Sequence, residues 1–387
     1  MSLASSAALA ARHQQVRGVL AGMGAEALFV SHLANIAYLT NFTGTSAVLL
    51  FTREALHFIT DFRYLSAASA LQASPAACPG LEVCPVGESY EETLVGTIAR
   101  LGLARVGFEA AHLSVSRLRW LEATLRGGPA VELVHTEGVV ESVRMRKDAG
   151  EQATLREAAR RLSAVLQGVM ADIRAGLTEV DVALELETGM RRTGFSRPAF
   201  DTIVASGPNS ALPHARAGDR RLANGDLVVL DFGGVYNGYC VDLTRTVSIG
   251  SPSPEAVRVY DAVRRAQAAA VGAVGPGVAT AAVDAAARDS LTADGYGAAF
   301  GHGTGHGLGL EVHEAPRVAR AHPASLARVY PPGHFPEATT LQTGMVVTIE
   351  PGAYVPGFGG VRIEDDVLVT AEGCEVLTTV GRDLLVC

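Results

Sequence analysis

The sequence predicts a two-domain α+β protein whose second domain is built from two related halves. Its 387 residues exceed what one hydrophobic core usually holds, so two domains are expected. Residues 222–233 read LANGDLVVLDFG and residues 341–352 read LQTGMVVTIEPG, with Leu, Gly and an acidic residue in register. Each segment contains a run of β-branched and apolar residues, which is typical of a buried strand. We therefore expect two related hairpins.

We place the domain boundary at residue 140, which gives domains 1–140 and 141–387. There the chain passes from Glu137-Gly138 into ESVRMRKDAGEQATLREAARRL, a charged segment whose apolar residues recur at helical spacing. We expect this segment to form an amphipathic helix that links the domains.

The internal duplication extends upstream of the hairpins. Gly176 matches Gly277 and Gly194 matches Gly295 at an offset of 101 residues, whereas the hairpins match at 119. The difference implies about 18 additional residues between about 300 and 340, where HPASLARVYPPGHFPEA lies with His334. Insertions beside a functional site are often lids. We expect this insertion, near 318–340, to cover one opening of a functional site in the second domain.

Two acidic residues of the first hairpin are predicted to point into one space. Asn237-Gly238 is a strong two-residue turn signal, and a turn centred there pairs Asp231 with Thr244. Asp242 is then diagonal to Asp231 and, by period-two alternation, on the same face.

The second hairpin repeats this arrangement with Glu350 and Glu364. The glycine-rich turn 357–360 lies between them, and their even separation allows direct opposition across a loop with an odd number of residues. An unpaired carboxylate near the end of a buried strand would cost several kcal/mol. Four converging acids therefore predict a bound cation.

Charge and composition exclude several classes of function. The formal net charge is -8 and the basic residues form no long run, so nucleic acid is not an expected ligand. The longest stretch without charged residues, 27–52, is interrupted by polar residues, and residues 1–15 lack a basic start with a sustained apolar core. We therefore expect neither a membrane span nor a signal peptide.

The five cysteines contain no CxxC pair, which favours a reducing cytoplasm. Cys240 lies two residues before Asp242 and hence on the face of the acids. We interpret Cys240 as a small packed thiol, with a ligand role as the alternative.

Three histidines cluster in the segment GHGTGHGLGLEVHEAPR. His302 and His306 are four residues apart, as on a zinc-binding helix, but the glycines argue against a regular helix and no HExxH motif is present. We expect these two residues on a strand or loop. Each histidine alone is more often structural than functional, but three within twelve residues, in a chain with four paired acids, favour a site that includes His313.

Five ordered motifs carry a resemblance to a known family. They read VLDFG, YCVDLTRT, GHGTGHGLGLEVHE, TIEPG and GVRIEDD. Together they resemble the pita-bread metallopeptidases, specifically the Xaa-Pro branch of prolidase and aminopeptidase P. Three earlier segments, NIAYLTNFTG, ITDFRY and VGFEAAHLS, are similar to the small α/β domain at the front of that branch.

The resemblance implies an α+β fold. A duplicated pita-bread catalytic domain with a curved antiparallel sheet would be preceded by a smaller α/β, creatinase-type N-terminal domain, and the protein would be a homodimer. It also implies two divalent metal ions held by Asp231, Asp242, His306, Glu350 and Glu364. Four carboxylates and one imidazole suit a dinuclear centre of Mn(II), our preferred metal, Co(II) or Zn(II) better than a single zinc ion. Two close cations would lower the pKa of a bridging water and deliver hydroxide to a peptide carbonyl.

By the same resemblance, three residues act on the proton or the substrate and a fourth lies beside them. Glu350 would be the proton shuttle, His214 and His313 would bind or polarise the substrate, and His302 would lie nearby. His214 occurs in SGPNSALPHAR, which matches the family's Ser-Gly-x-Asn segment followed by Pro-His.

Two arginines are expected to support the site. Arg362, two residues before Glu364, should brace a carboxylate, with an ordinary structural ion pair as the alternative. Arg317 matches an arginine that in prolidases holds the C-terminal carboxylate of the substrate, a task suited to a bidentate guanidinium; a solvated loop arginine is the alternative.

These inferences predict an Xaa-Pro dipeptidase, with an Xaa-Pro aminopeptidase acting on longer peptides as the alternative. Arg317 would bind the carboxylate of a C-terminal proline, and the insertion would cover the exit that a longer peptide needs beyond the proline. Both features favour the dipeptidase. Creatinase-like relatives work without metal, and methionine aminopeptidases generally lack the front domain. A non-catalytic binding protein on this scaffold would be expected to have lost ligands, and all five ligand positions are filled. The expected partner is a proline-containing dipeptide or short peptide.

Overall fold

The computed structural model describes residues 3–126, 130–320 and 339–387. The predicted insertion, including His334, falls almost entirely outside the described residues. The chain divides into two compact units, Met1–Arg144 and Met145–Cys387. Among the described residues, no helix is both long and apolar enough to cross a bilayer.

The first unit is built on a mixed six-stranded sheet in the order β4-β3-β2-β1-β5-β6. Strands β1 and β2 and strands β2 and β3 pair antiparallel, whereas the other three pairs are parallel. Short apolar runs such as VLLFT are buried along their whole length, as expected of central strands. The strands are Ala27–Val30 (β1), Val48–Thr52 (β2), Leu56–Thr60 (β3), Leu81–Pro85 (β4), Arg105–Glu109 (β5) and Glu132–Thr136 (β6).

Helices connect these strands. Four of them begin at a Ser or Asp whose side-chain oxygen accepts a backbone N–H of the first turn, which stabilises the helix start. The helices are Ser6–Gly22 (α1), Leu33–Thr40 (α2), Phe62–Gln72 (α3), Tyr90–Leu101 (α4), Val115–Leu125 (α5) and Val139–Arg144 (α6). The predicted α/β front domain is confirmed.

The second unit carries two pairs of helices. The predicted amphipathic helix is present and begins with a capping box in which Asp148 and Glu151 satisfy each other's backbone N–H groups. The second helix of each pair has 14 residues and begins three residues after a glycine of positive φ, Gly176 or Gly277. The helices are Ala149–Met170 (α7), Glu179–Arg192 (α8), Pro254–Ala273 (α9) and Thr280–Ala293 (α10). The offset of 101 residues read from the glycines therefore holds for α8 and α10.

The strands of the second unit form three sheets. One has the order β18-β10-β9-β7 with β8 also pairing β9, one has the order β12-β11-β13-β16-β17, and β14 pairs with β15. The strands are Arg197–Pro198 (β7), Ile203–Ser206 (β8), Leu227–Tyr236 (β9), Tyr239–Ser248 (β10), Gly305–Gly307 (β11), Glu314–Val318 (β12), Val346–Ile349 (β13), Gly352–Val355 (β14), Gly359–Arg362 (β15), Asp365–Val369 (β16), Cys374–Val376 (β17) and Leu385–Val386 (β18). Nearly all of these pairings are antiparallel.

Both predicted hairpins form in the predicted register. Asp231 lies opposite Thr244, and both turn residues between the strands have positive φ, 50° at Asn237 and 89° at Gly238. In the second hairpin Gly352 lies opposite Arg362, and beyond it Ile349 lies opposite Asp365. Glu350 and Glu364 therefore face each other where one ladder ends and the next begins.

Each half of the second unit has its own hydrophobic core. Leu162 of α7, Leu186 of α8 and Leu230 of β9 belong to the first core. Val263 of α9 and Val347 of β13 belong to the second. The duplicated sequence thus gives two helix-backed layers. Asp231 and Asp242 lie within β9 and β10 rather than near a strand end, whereas Glu350 and Glu364 lie just beyond β13 and β15.

The chain has a single lysine, and it is buried in this unit. Nζ of Lys147 lies 3.3 Å from Oε2 of Glu314, and the two side chains are 1% and 7% exposed. Breaking a buried pair by removing one partner is more destabilising than removing both. We predict that Lys147→Met lowers the free energy of unfolding by about 3 kcal/mol and that Lys147→Met combined with Glu314→Gln lowers it less. Urea unfolding of both variants tests this, and equal losses would contradict it.

Candidate metal centre

Three potential metal ligands converge in the second unit. One ligand atom each of Asp242, His306 and Glu364 lies within 4.8 Å of the other two. Asp242 lies on β10, His306 on β11, and Glu364 between β15 and β16. Donors from both halves therefore meet, because the turn of each hairpin brings its second acid back towards the first.

Glu350 borders this group. Its Oε1 lies 3.6 Å from Nε2 of His306 and accepts a hydrogen bond from the Thr348 hydroxyl at 3.5 Å. Glu364, which faces Glu350, accepts a hydrogen bond at its Oε2 from the Thr244 hydroxyl at 2.7 Å. Neutral hydroxyls thus orient both glutamates without neutralising their charge.

Asp231 is held by a guanidinium. Its Oδ2 accepts a hydrogen bond from Nη2 of Arg362, and both residues are buried. Arg362 thus contacts a carboxylate, as both the bracing role and the alternative structural ion pair require. The three ligand atoms that lie within 4.8 Å of one another do not include one from Asp231. Burial is the main cause of the raised pKa values of Asp242, Glu350 and Glu364, and the charge of nearby Asp231 adds to each shift.

The carboxyl groups repel one another. Burial, followed by the charges of neighbouring carboxylates, raises the pKa of Asp242 and Glu364 well above their usual values. Burial also raises the pKa of Glu350 to about 7, although Arg362 opposes this shift. The pKa of His306 is lowered to about 4, mainly by burial, so its imidazole is neutral at pH 7 and able to bind a metal.

These residues fit a divalent cation. Oδ1 of Asp242 is buried and has no hydrogen-bond partner among the described residues. A buried, unsatisfied carboxylate oxygen among other acids is costly, and a cation would both satisfy that oxygen and cancel the repulsion. Oxygen-rich donors with one imidazole suit metals of the Mn(II) type.

Two further histidines adjoin the centre. The ring of His313 meets that of His306 edge to face, with centroids 4.4 Å apart, and the His313 side chain is exposed. His302 lies in a loop, and its Nε2 is 2.9 Å from the Tyr354 hydroxyl. Burial lowers the pKa of His302 to about 4, so it is neutral at pH 7. As expected, His302 lies on a loop and His306 on a strand.

His214 and Arg317 reach the same space from exposed positions. The carbonyl of Pro213 accepts a hydrogen bond from Nη1 of Arg362 at 3.3 Å. Burial is the main cause of the lowered pKa values of His302 and His313, and nearby His214 adds to both shifts. Arg317 lies opposite His306 in the β11–β12 ladder. The structure thus brings both residues to the rim of the centre.

Tyr354 is a site residue that the sequence reasoning missed. Its hydroxyl accepts a hydrogen bond from Nη1 of Arg362 at 2.6 Å and also contacts His302. Tyr354 therefore connects the His302 loop to the Arg362–Asp231 pair. The signal was available, because Tyr354 follows Glu350 by an even number of residues on a hairpin and so shares its face.

Asp366 was also missed. Its Oδ2 accepts a hydrogen bond from the backbone N–H of Asp242 at 3.1 Å, and the residue is fully buried. Even spacing after Glu364 could have indicated its orientation. Cys240 is buried and burial raises its pKa to about 12, which keeps it a packed thiol, as interpreted from sequence.

Three buried carboxylates, the half-buried Glu350 and a neutral imidazole, on a duplicated α+β scaffold, form the donor set of a metal-dependent enzyme. Residues 153–371 match the model of metallopeptidase family M24, and residues 12–146 match the creatinase/prolidase N-terminal domain. The chain therefore belongs to metallopeptidase family M24, and the resemblance read from the motifs is confirmed.

Similar sequences and solved structures support this assignment. The Xaa-Pro dipeptidase of Pyrococcus furiosus is 41% identical over 66% of this chain and 69% of its own length. The structure of an Xaa-Pro dipeptidase from Bacillus anthracis superposes with a TM-score of 0.88 at 38% identity, covering 98% of this chain and 100% of that one. An X-Pro aminopeptidase structure from Thermotoga maritima superposes with a TM-score of 0.82 at 34% identity, covering 96% and 100%. The enzyme is thus a metallopeptidase with a two-domain, pita-bread fold.

Proposed function

We propose that this metallopeptidase hydrolyses the peptide bond before proline in Xaa-Pro dipeptides. The observation that carries the proposal is the convergence of Asp242, His306 and Glu364 on one point, with Glu350 beside them. Similarity to Xaa-Pro dipeptidases supports the substrate class.

The proposed ligands of two divalent ions, with Mn(II) preferred, are Asp231, Asp242, His306, Glu350 and Glu364. When bound, such ions lower the pKa of a coordinated water and polarise the scissile carbonyl. His306 offers a neutral nitrogen, and Arg362 keeps Asp231 in place through its hydrogen bond.

The chain's own groups handle the proton and the substrate. Glu350 is the proposed proton shuttle, because a carboxylate beside a metal-bound water can accept and return a proton. His313 and His214 bind the peptide from the exposed rim, and His302, held neutral against Tyr354, donates or accepts a hydrogen bond without adding charge. We further propose that the enzyme acts as a homodimer in the cytoplasm.

Arg317 supports a substrate with a carboxylate directly after proline. It is exposed and lies opposite His306, and it adds to the lowering of the His313 pKa that burial mainly causes. A planar guanidinium binds a carboxylate through two parallel hydrogen bonds. The second candidate, an Xaa-Pro aminopeptidase acting on longer peptides, is favoured by the likeness to the T. maritima X-Pro aminopeptidase.

We predict that Ala-Pro is cleaved with a kcat/KM about 10- to 100-fold above that of Ala-Pro-Ala, because a charge-assisted hydrogen bond contributes about 1.5–3 kcal/mol. Arg317→Gln should remove this preference by raising KM for Ala-Pro. Arg320→Gln, at an exposed arginine three residues further on, is the matched control and should leave the preference intact. Equal cleavage of both peptides by the wild type would favour the aminopeptidase.

A further inference from the structure

We propose that two buried helix acids, Glu179 and Asp284, are positioning residues that hold the histidine-bearing loops of the site. The inference rests on the proposed function, in which His214 and His302 act on the substrate. Neither acid lies among the metal ligands, and neither was indicated by a sequence motif.

Glu179 fastens both ends of the loop that carries His214. It is fully buried in the first turn of α8. Its Oε1 accepts hydrogen bonds from the N–H and hydroxyl of Ser206 at 2.8 and 2.7 Å and from Nδ2 of Asn209 at 3.0 Å. Its Oε2 accepts the N–H of Gly218 at 3.1 Å. One carboxylate thus closes the segment 206–218.

The far side of this loop touches the metal centre. The backbone N–H of Gly360 donates to the Ser210 hydroxyl at 2.8 Å, and Arg362 donates to the carbonyl of Pro213. The loop is therefore held between Glu179 on one side and the β14–β15 hairpin on the other. Loss of the Glu179 contacts would free the segment that sets the position of His214.

Asp284 performs the same task for the loop of His302. It is fully buried on α10, and its Oδ1 accepts the N–H and hydroxyl of Thr304 at 3.0 and 2.9 Å. Its Oδ2 accepts Nε of Arg288 at 2.6 Å, and Arg288 in turn donates to the carbonyl of His302. The carbonyl of Thr304 accepts the N–H of Glu350 at 2.8 Å. Asp284 therefore connects α10 to the backbone at His302 and Thr304, and through the carbonyl of Thr304 to Glu350.

The two anchors occupy different positions in the duplicated helices. At the offset of 101 residues, Glu179 aligns with Thr280 and Asp284 aligns with Ala183. If the scaffold alone required a buried acid, the acid should recur at the same helical position in both halves. Instead each half places its acid where its own histidine loop runs, which indicates that the loops determine the positions.

Glu179→Gln and Asp284→Asn test the inference with little change in volume. Each replaces a carboxylate oxygen with an amide NH₂ that faces an N–H donor, so the loop must shift. With saturating Mn(II) and Ala-Pro, we expect Glu179→Gln to raise KM about 10-fold with kcat within twofold of wild type, and Asp284→Asn to lower kcat about 10-fold. Bound metal should remain at the wild-type level in both. The controls Glu185→Gln and Asp289→Asn, exposed on the same helices, should behave as wild type.

Amide hydrogen exchange provides a readout besides turnover. The loops 206–218 and 300–304 should exchange faster in Glu179→Gln and Asp284→Asn respectively, with the rest of the chain unchanged. If Glu179→Gln does not fold, Asn209→Ala removes one of the four contacts and should give a smaller rise in KM together with faster exchange.

The outcomes separate this inference from the proposed function. Wild-type kinetics and exchange in folded variants that are only less stable would overturn the positioning role. Absence of Xaa-Pro turnover by the wild type would overturn the proposed function instead. The exchange measurement would then decide whether the acids anchor the loops, with unchanged exchange counting against it.

Discussion

Asp242→Asn should lower Ala-Pro turnover by about 10³-fold and at the same time stabilise the metal-free protein. The loss of activity follows because a proposed metal ligand is worth about 4 kcal/mol to the transition state. The gain in stability follows because Asp242 is buried among carboxylates and has an oxygen without a hydrogen-bond partner among the described residues. Removing its charge should raise the free energy of unfolding by about 1–3 kcal/mol, measured in urea after chelation.

Asp231→Asn is the matched comparison because it changes the other aspartate of the same hairpin. It should lower turnover similarly but destabilise the metal-free protein by about 3 kcal/mol, since it takes the charged partner away from buried Arg362. The changes in the free energy of unfolding should therefore have opposite signs, because Asp242 lies among other carboxylates whereas Asp231 is paired with Arg362. Destabilisation by both variants would show that Asp242 has a compensating partner in solution.

The hairpins of the second domain were predictable because their signals are local. Asn237-Gly238 specifies a two-residue turn, and period-two alternation then places Asp242 on the face of Asp231. In the second hairpin, the even separation of Glu350 and Glu364 across the glycine-rich turn predicted that they face each other. The glycines that precede α8 and α10 likewise made the repeat visible. Family resemblance supplied the histidine roles, which spacing alone left open.

The remaining features depend on contacts between segments distant in sequence. Nothing local in Arg362 shows that its guanidinium reaches Asp231 rather than the nearer Glu364. Glu179 and Asp284 look like ordinary helix acids until the loops that they bind are folded against them. Such positions are set by tertiary packing, so sequence patterns of short range carry no signal for them.

Saturating Mn(II) should stabilise the protein by about 3 kcal/mol at 100 times its dissociation constant, and its affinity should rise with pH. Asp242, Glu350 and Glu364 have raised pKa values in the metal-free protein, that of Glu350 being about 7. Stability of the metal-free fold that depends on these acids is therefore greatest at low pH, and it is lost as pH rises from about 4.5 through 7. Metal binding must displace these protons, so it weakens as pH falls.

The difference in melting temperature between metal-bound and metal-free protein should consequently widen from pH 5 to pH 8. His302 and His306, whose pKa values are lowered to about 4, lower the stability of both forms as pH falls from about 6.5 to 4, so they largely cancel in this difference. Glu350→Gln should flatten the pH dependence, whereas Glu372→Gln, at an exposed acid, should preserve it. Calorimetric titration in buffers of different ionisation enthalpy counts the released protons directly. An affinity independent of pH would mean that the acids are already ionised without metal, and the rise in their pKa values inferred from burial would then be wrong.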